Sequence, residues 1–380
     1  MKLTKVKLKN FRNIEEEEIE LSNGCNTLYG DNAQGKTNIL EAIYLCVSGR
    51  SFRAQKEREL IKNNTKSYKI TVEYKKNDRI EEIEIEYSDE TKKKLKINNV
   101  SQTKTGNIIG KLNAVIFSPE DILMIKQGPS KRRKYIDIAI SQIKPSYFFY
   151  IQNYRKVLMQ RNNLLRKRDV KYIDNDNIEI WNERLAEYGA KIIKEREIFI
   201  KILNEKANLK QQIITDHKEG LYIRYKPSFE INKEEEIKKQ IIDKLNKNFK
   251  EDIKRGSTLY GPQRDDIEIE INDMNVKQYG SQGQQRTAAL SIKLAEVDII
   301  KETIQDNPVI LLDDVMSELD DYRRKYLLEG IGDKQIIITC TSKESIRNFN
   351  QEKQKYFLIK EGKCYEQRIE KNLHKGIALM

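Results

Sequence analysis

Apolar and polar positions alternate weakly over 3–9 and 16–21, which predicts a β-hairpin at the start of the chain. Residues 25–29 read as a short strand and 38–45 as a helix. Alternation is clean over 68–74 and 83–87 and resumes at 95–97, with Asn98-Asn99 as a turn. This predicts an antiparallel meander with one wet face. Residues 114–117 are all apolar and predict a buried strand.

The period changes at Ser118-Pro119-Glu120-Asp121, a helix start with proline in its first turn. From there to about residue 254 the pattern is mainly helical. Helices are expected over about 130–141, 145–168 and 178–217, with a turn at 174–177 making a helical hairpin or lobe. A strand at 221–225 and a helix at 232–254 follow. Strand character returns at 258–260 and 267–271. A helix at about 282–304 precedes the apolar run 308–312, which ends in Asp313-Asp314. A helix at 320–329, a strand at 335–340 and a hairpin turning at Glu361-Gly362 complete the pattern. The expected organisation is an α/β head split between 1–117 and 256–380, with an antiparallel β subdomain and an inserted, mainly helical lobe at 118–255.

Chemistry enters between the strand at 25–29 and the helix after it. Gly30-Asp31-Asn32-Ala33-Gln34-Gly35-Lys36-Thr37 reads G-x-x-x-x-G-K-T, a phosphate-binding loop in strand–loop–helix context. The glycines turn backbone N–H groups toward phosphates, and the helix N-terminus adds a positive dipole. Lys36 is expected to reach the β- and γ-phosphates of ATP, and Thr37 to bind Mg²⁺. Asp313 ends a buried strand and is a second candidate for Mg²⁺, directly or through water. Asp314 is placed to orient or deprotonate the attacking water. A compact P-loop kinase or GTPase completes its site within about one domain length; here about 275 residues separate Lys36 from Asp313. A large insertion, or a head assembled from both chain ends, is required.

Ser281, Gly283 and Gln284 lie at the start of the helix preceding the Asp313 strand, in Tyr279-Gly280-Ser281-Gln282-Gly283-Gln284-Gln285-Arg286. They make a second candidate anion site at a helix N-terminus. Two such ends, far apart in sequence, are both used when two copies meet head to tail around ATP. The homodimer is therefore expected in the presence of ATP.

Lys and Arg outnumber Asp and Glu by 71 to 59 in 380 residues, a net charge of +12. This excess favours an anionic partner, most simply nucleic acid, unless it reflects a lysine-rich composition. No apolar run approaches the length of about 20 that spans a bilayer. Cys25, Cys46, Cys340 and Cys364 form no C-x-x-C pair, so neither zinc nor a disulfide framework is suggested. No membrane association and a cytoplasmic location are expected.

The segments GDNAQGKTNILEAIYL, FSPEDILMIKQGPSKRRKYID, YGPQRDD, YGSQGQQRT and ILLDDVMSELD together resemble the RecF family of bacterial gap-repair proteins, ABC-type ATPases related to the SMC proteins. The resemblance begins at Lys7-Leu8-Lys9-Asn10-Phe11-Arg12-Asn13 and covers nearly the whole chain. It implies that 30–37 is Walker A, Asp313 the Walker B acid, 279–286 the signature motif and 317–320 the D-loop. It also places Ser118-Pro119-Glu120-Asp121 at the usual position of the Q-loop, although no glutamine stands there. Asp314 replaces the usual glutamate, and no histidine follows the strand at 335–340, where the sequence is Thr339-Cys340-Thr341-Ser342. Both departures imply slow hydrolysis, as in a clamp or timer; with the resemblance, the expected activity is that of a slow DNA-stimulated ATPase acting as a switch. By resemblance the partners are single-stranded, gapped or junction DNA, RecR, and indirectly RecO and RecA. A transporter subunit, a defence nuclease and a P-loop metabolic kinase are the rival readings. The first would show an LSGGQ-like signature and a switch histidine, and the second a further acidic domain.

For DNA, the candidates are Lys131, Arg132, Arg133 and Lys134 at one helix start, then Arg155 and Arg161 on the next helix. Lys156, Arg166, Lys167, Arg168 and Lys171 extend the series, with Tyr147, Tyr150 and Tyr154 interleaved. Such contacts bind phosphates without reading sequence; a solvated helix face is the alternative. Arg50, Arg53 and Lys56 form a second cluster, of which Arg50 and Arg53 either join the DNA surface or reach ATP.

Overall fold

The computed structural model describes residues 1–166, 175–342 and 354–367. Its central sheet interleaves both ends of the chain. Five parallel strands run in the order Gln354–Lys360, Cys25–Tyr29, Ile336–Cys340, Val309–Asp313, Ala114–Phe117, with Lys363–Gln367 antiparallel at one edge. Val309–Asp313 and Ile336–Cys340 are buried along their whole length. That is why they read as unbroken apolar runs rather than alternating ones.

The meander forms as the alternation requires. Lys2–Phe11, Ile14–Glu20, Ser67–Lys76, Arg79–Ser88, Lys92–Ile97 and Val100–Gln102 make an antiparallel six-stranded sheet. Its apolar face supplies Val6, Leu8, Ile70, Val72, Ile83 and Ile85 to one core, and the phosphate-loop helix Lys36–Ser48 supplies Leu40, Ile43 and Val47. That helix is buried nearly all round because it sits between the two sheets.

The middle of the chain is helical, with bounds set by proline. Pro129–Ile143 and Pro145–Leu165 each begin with proline at the first turn, where its missing N–H costs nothing. A helix of 40 residues, Asn175–Ile214, packs against Pro145–Leu165 and against Gln282–Ile304. The turn expected at 174–177 is helical from Asn175 onward; Asp174 lies outside the described residues, as do Lys167, Arg168 and Lys171. The helix expected over 232–254 is two, Glu234–Lys247 and Phe249–Arg255, broken at Asn248. Residues 258–260 do not form a strand. They belong to a loop held by Thr258 hydroxyl and backbone bonds to Asn162 and by the Leu259 N–H bond to Asp252. The strand Leu221–Lys226 pairs with Asp266–Ile271, and these strands share a second core with the long helices and Gln282–Ile304.

Candidate nucleotide site and basic face

The phosphate loop joins strand Cys25–Tyr29 to helix Lys36–Ser48. Gly30 and Gly35 take φ of 145° and 114°. A Cβ on Gly30 would collide with the Ile359 carbonyl oxygen, and one on Gly35 would lie 2.8 Å from Asn13 Oδ1. Both positions therefore demand glycine. Asn13 braces the loop further, donating to the Gln34 carbonyl at 3.0 Å and accepting from Asn38 Nδ2 at 2.8 Å. The hairpin turn at Glu361-Gly362 grips Gln34 from the other side, with N–H bonds of 2.6 Å to its side chain and 3.0 Å to its carbonyl. The Lys36 ammonium donates to the carbonyls of Gly30 and Asp31 at 2.5 and 2.8 Å. Burial lowers its pKa, while Asp314 and other neighbouring acids oppose that shift.

Asp313 and Thr37 meet. Thr37 Oγ1 donates to Asp313 Oδ1 at 2.7 Å, and Thr339 Oγ1 donates to the same oxygen at 3.0 Å. Asp313 is only 7% exposed, and burial raises its pKa despite these two bonds and the field of Arg53. Asp314 follows in the left-handed region at φ 51°, its N–H bonded to Thr339 Oγ1 at 2.9 Å. Among the described residues its carboxylate makes no hydrogen bond or ion pair. The oxygen donors of Thr37 and Asp313 are hard ligands in contact, and they suit Mg²⁺.

Asn13 and Thr339 were not singled out by motif. Asn13 sits in the N-terminal segment that carries the family resemblance, and only tertiary packing reveals its bonds to the loop.

Ser281 caps helix Gln282–Ile304, its hydroxyl accepting from Gln284 N–H at 3.2 Å while Gln284 Oε1 accepts from Ser281 N–H at 2.9 Å. Gln284 Nε2 also donates to Glu219 at 3.0 Å. Gly283 lies near Arg323, which donates to Thr287 at 2.8 Å and pairs with Asp320. Arg286 pairs with Glu318 at 2.8 Å. The segments 281–286 and 317–320 thus form one patch, with Ser281, Gln282, Ser317 and Asp320 exposed. Among the described residues no hydrogen bond or ion pair joins this patch to residues 30–37.

The profile of the RecF/RecN/SMC N terminal domain matches residues 2–364. DNA replication and repair protein RecF of Acetivibrio thermocellus is 46% identical over 368 residues, covering 96% of this chain and 100% of that protein. The chain belongs to the RecF family. The RecF of Ruminiclostridium cellulolyticum is 45% identical, covering 94% of this chain and 97% of its own. A solved structure described as the recombination mediator protein RecF-ATPrS in the RecFOR pathway superposes with a TM-score of 0.89 at 41% identity, covering 96% of this chain and 98% of its own. An SMC head bound to the C-winged helix domain of ScpA shares the fold at a TM-score of 0.56 and 17% identity. Among the described residues no helix is long and apolar enough to cross a membrane.

The basic face divides sharply. Lys131 and Lys134 are exposed, Arg133 partly so, and Arg155 is half-exposed. Two expected DNA contacts are corrected. Arg161 is 0% exposed, bonded to Asp252 at 2.7 Å, Asn182 at 2.8 Å and Thr258 at 2.7 Å. Arg132 is buried in a bidentate pair with Asp266 at 2.7 and 2.9 Å. Both are buried structural ion pairs, Arg161 within the lobe and Arg132 reaching across to strand Asp266–Ile271, and neither is placed to meet a DNA phosphate. Tyr147 and Tyr154 are likewise buried, bonded to Asp137 and Gln263. The warning for Arg161 was its register, since it shares the inward period of Tyr147, Ile151, Tyr154 and Leu165.

The second cluster splits as well. Ser51, buried just beyond the phosphate-loop helix, donates to Glu41, which Arg12 clasps at 2.8 and 2.9 Å. From this anchored loop Arg53 acts on Asp313, while Arg50 faces Arg155.

Proposed function

We infer that this protein acts in DNA replication and repair as an ATP-switched DNA-binding protein of RecF type. The observation that carries the reading is the Thr37–Asp313 bond, which completes one nucleotide site from the two ends of the chain. Lys36 and the loop 30–37 would hold the phosphates of ATP. Thr37 and Asp313 would hold Mg²⁺, which supplies charge neutralisation at the β- and γ-phosphates. Asp314, its carboxylate unengaged, would orient the attacking water. Ser281, Gly283 and Gln284 would reach the γ-phosphate held by a second copy; in support, Ser281 is exposed, and among the described residues no hydrogen bond or ion pair ties the patch to the phosphate loop of its own chain.

The ATP-closed dimer would clamp single-stranded, gapped or junction DNA through Lys131, Arg133, Lys134 and Arg155. Hydrolysis would release it, and RecR, RecO and RecA would act with it at gaps. The proposed division is a head of 1–117 and 256–380 and a lobe of 118–255. Strand Asp266–Ile271 and helix Gln282–Ile304 pack with the lobe. Sedimentation of the protein with and without ATP, each with and without gapped DNA, tests this reading. A monomer under all four conditions would overturn it.

A further inference from the structure

We propose that the groove where the phosphate-loop helix meets the helical lobe, lined by Arg50, Lys134 and Arg155, is a seat for phosphodiester groups. The proposal rests on the DNA-binding reading above and adds a location and a residue to it.

Two cavities of about 80 and 250 Å³ lie side by side here, and Lys134, Asp137, Ile151 and Arg155 line both. The smaller reaches Ser48 and Arg50; the larger reaches Ser130, Arg133 and Gln263. Cations therefore converge from three separate elements: the loop after helix Lys36–Ser48, helix Pro129–Ile143 and helix Pro145–Leu165. On a solvated helix face like charges diverge; here they face one another.

The charges are not balanced within the protein. Among the described residues neither Arg50 nor Lys134 has a carboxylate within 4.0 Å. Arg155 shares Asp137 with the buried Arg196, at 3.2 and 2.9 Å, and Arg196 also leans on Asp265 at 3.4 Å. Arg133 donates to the Asp265 carbonyl at 2.6 Å and, among the described residues, has no carboxylate within 4.0 Å. Neighbouring atoms strip water from part of each exposed side chain: this desolvation lowers the pKa of Arg50, with Arg155 lowering it further against Glu57, and it lowers that of Lys134, with Lys131 and Arg50 adding to the effect against Glu120. A phosphodiester between these groups would relieve that repulsion with charge-assisted bonds.

The seat is held in place on both sides. Ser51 and Glu41 fix the loop that carries Arg50, and the Arg132–Asp266 pair fixes the helix start that carries Lys134. Arg53, on the same loop as Arg50, lies in the field of Asp313.

The test uses full-length protein carrying Arg50→Gln and Lys134→Gln together, beside the parent and the charge-keeping variant Arg50→Lys/Lys134→Arg. Each is titrated with labelled gapped duplex DNA at several salt concentrations in the presence of ATP. Inorganic phosphate is titrated separately by calorimetry. The glutamine variant should lose about two units from the slope of log affinity on log salt and bind DNA at least about tenfold more weakly. Its ATP affinity should be unchanged, and the charge-keeping variant should restore the slope. An unchanged slope in the glutamine variant overturns the groove while leaving the DNA-binding reading intact. A parent that binds no DNA overturns both. If inorganic phosphate binds the parent but not the glutamine variant while the DNA slope holds, the site serves a free phosphate and the nucleic-acid assignment falls.

Discussion

The Thr37 hydroxyl donates a 2.7 Å hydrogen bond to the carboxylate of Asp313, a residue 276 positions away in the chain. With Thr339 it holds the ionised form of a carboxylate whose pKa burial pushes up. Thr37→Val removes one of these bonds, so the Asp313 pKa should rise further. A bond to a charged group is worth about 1.5–3 kcal/mol, so ATP hydrolysis should fall at least about tenfold. The acid limb of the pH–rate profile should also move to higher pH, because more of Asp313 is protonated at any given pH. An ATPase profile with an unmoved acid limb would count against the role of this pair.

Among the described residues the Lys36 ammonium donates only to carbonyls of its own loop. Lys36→Ala should therefore leave the fold intact while removing the cation aimed at the phosphates. Calorimetry should show ATP affinity reduced by at least about tenfold, and ATP-dependent dimerisation should be lost. Parent-like ATP affinity would remove the phosphate-loop assignment.

Ser281 opens its helix on a solvent-facing patch that, among the described residues, has no hydrogen bond or ion pair to the phosphate loop. Ser281→Arg should leave ATP binding by the monomer unchanged but block closure and hydrolysis. Mixed with Lys36→Ala, it should recover partial activity, since each heterodimer keeps one intact composite site. Sedimentation and ATPase assays of each variant alone and together decide the matter; a Ser281→Arg protein that dimerises like the parent excludes the head-to-tail arrangement.

Arg161 and Lys134 should behave oppositely. Arg161→Ala strands Asp252 in the interior without its partner and should cost about 3–5 kcal/mol in urea unfolding. Lys134→Ala removes an exposed charge and should change stability by no more than about 0.5 kcal/mol. If Arg161→Ala were as stable as the parent and only DNA binding suffered, Arg161 would be a DNA contact and not a structural ion pair.

Asp121 borders a cavity of about 160 Å³ against the signature helix, and burial raises its pKa to about 6 despite Lys293; Glu296 and Glu120 add to the rise. Because the folded pKa lies above the unfolded value, the folded protein binds the extra proton between about pH 4 and 6. Stability from this group should thus fall as pH rises through that window. Asp121→Asn should flatten the window and gain about 1–2 kcal/mol at pH 7, a figure reduced for partial solvent exposure. Urea midpoints at pH 5 and 7 for both proteins measure it.

The nucleotide loop, its Asp313 partner strand and the wet-faced meander were legible because each depends on local pattern: a glycine spacing, an unbroken apolar run, a period of two. The phosphate-loop braces were not, since Asn13 and the Glu361-Gly362 turn reach the loop only once the sheets have stacked. Basic residues mislead for a related reason. Lys131 and Arg132 are adjacent in sequence, but the helix turns about 100° between them, so one meets water and the other Asp266. The break at Asn248 escaped notice because the apolar period continues through it.

Strand Cys25–Tyr29 has the strands Ile336–Cys340 and Gln354–Lys360 as its two neighbours. During synthesis at about 5–20 residues per second, this strand waits about 15–60 s for either to emerge. The loop-bearing segment leaves the ribosome long before either neighbouring strand, with both hydrogen-bonding edges unpaired. A nascent chain of this kind is exposed to mispairing with other chains, and a message cut short before the last strands would yield a product unable to close its nucleotide site. Assembly of the Thr37–Asp313 pair is thereby delayed until most of the polypeptide has been made.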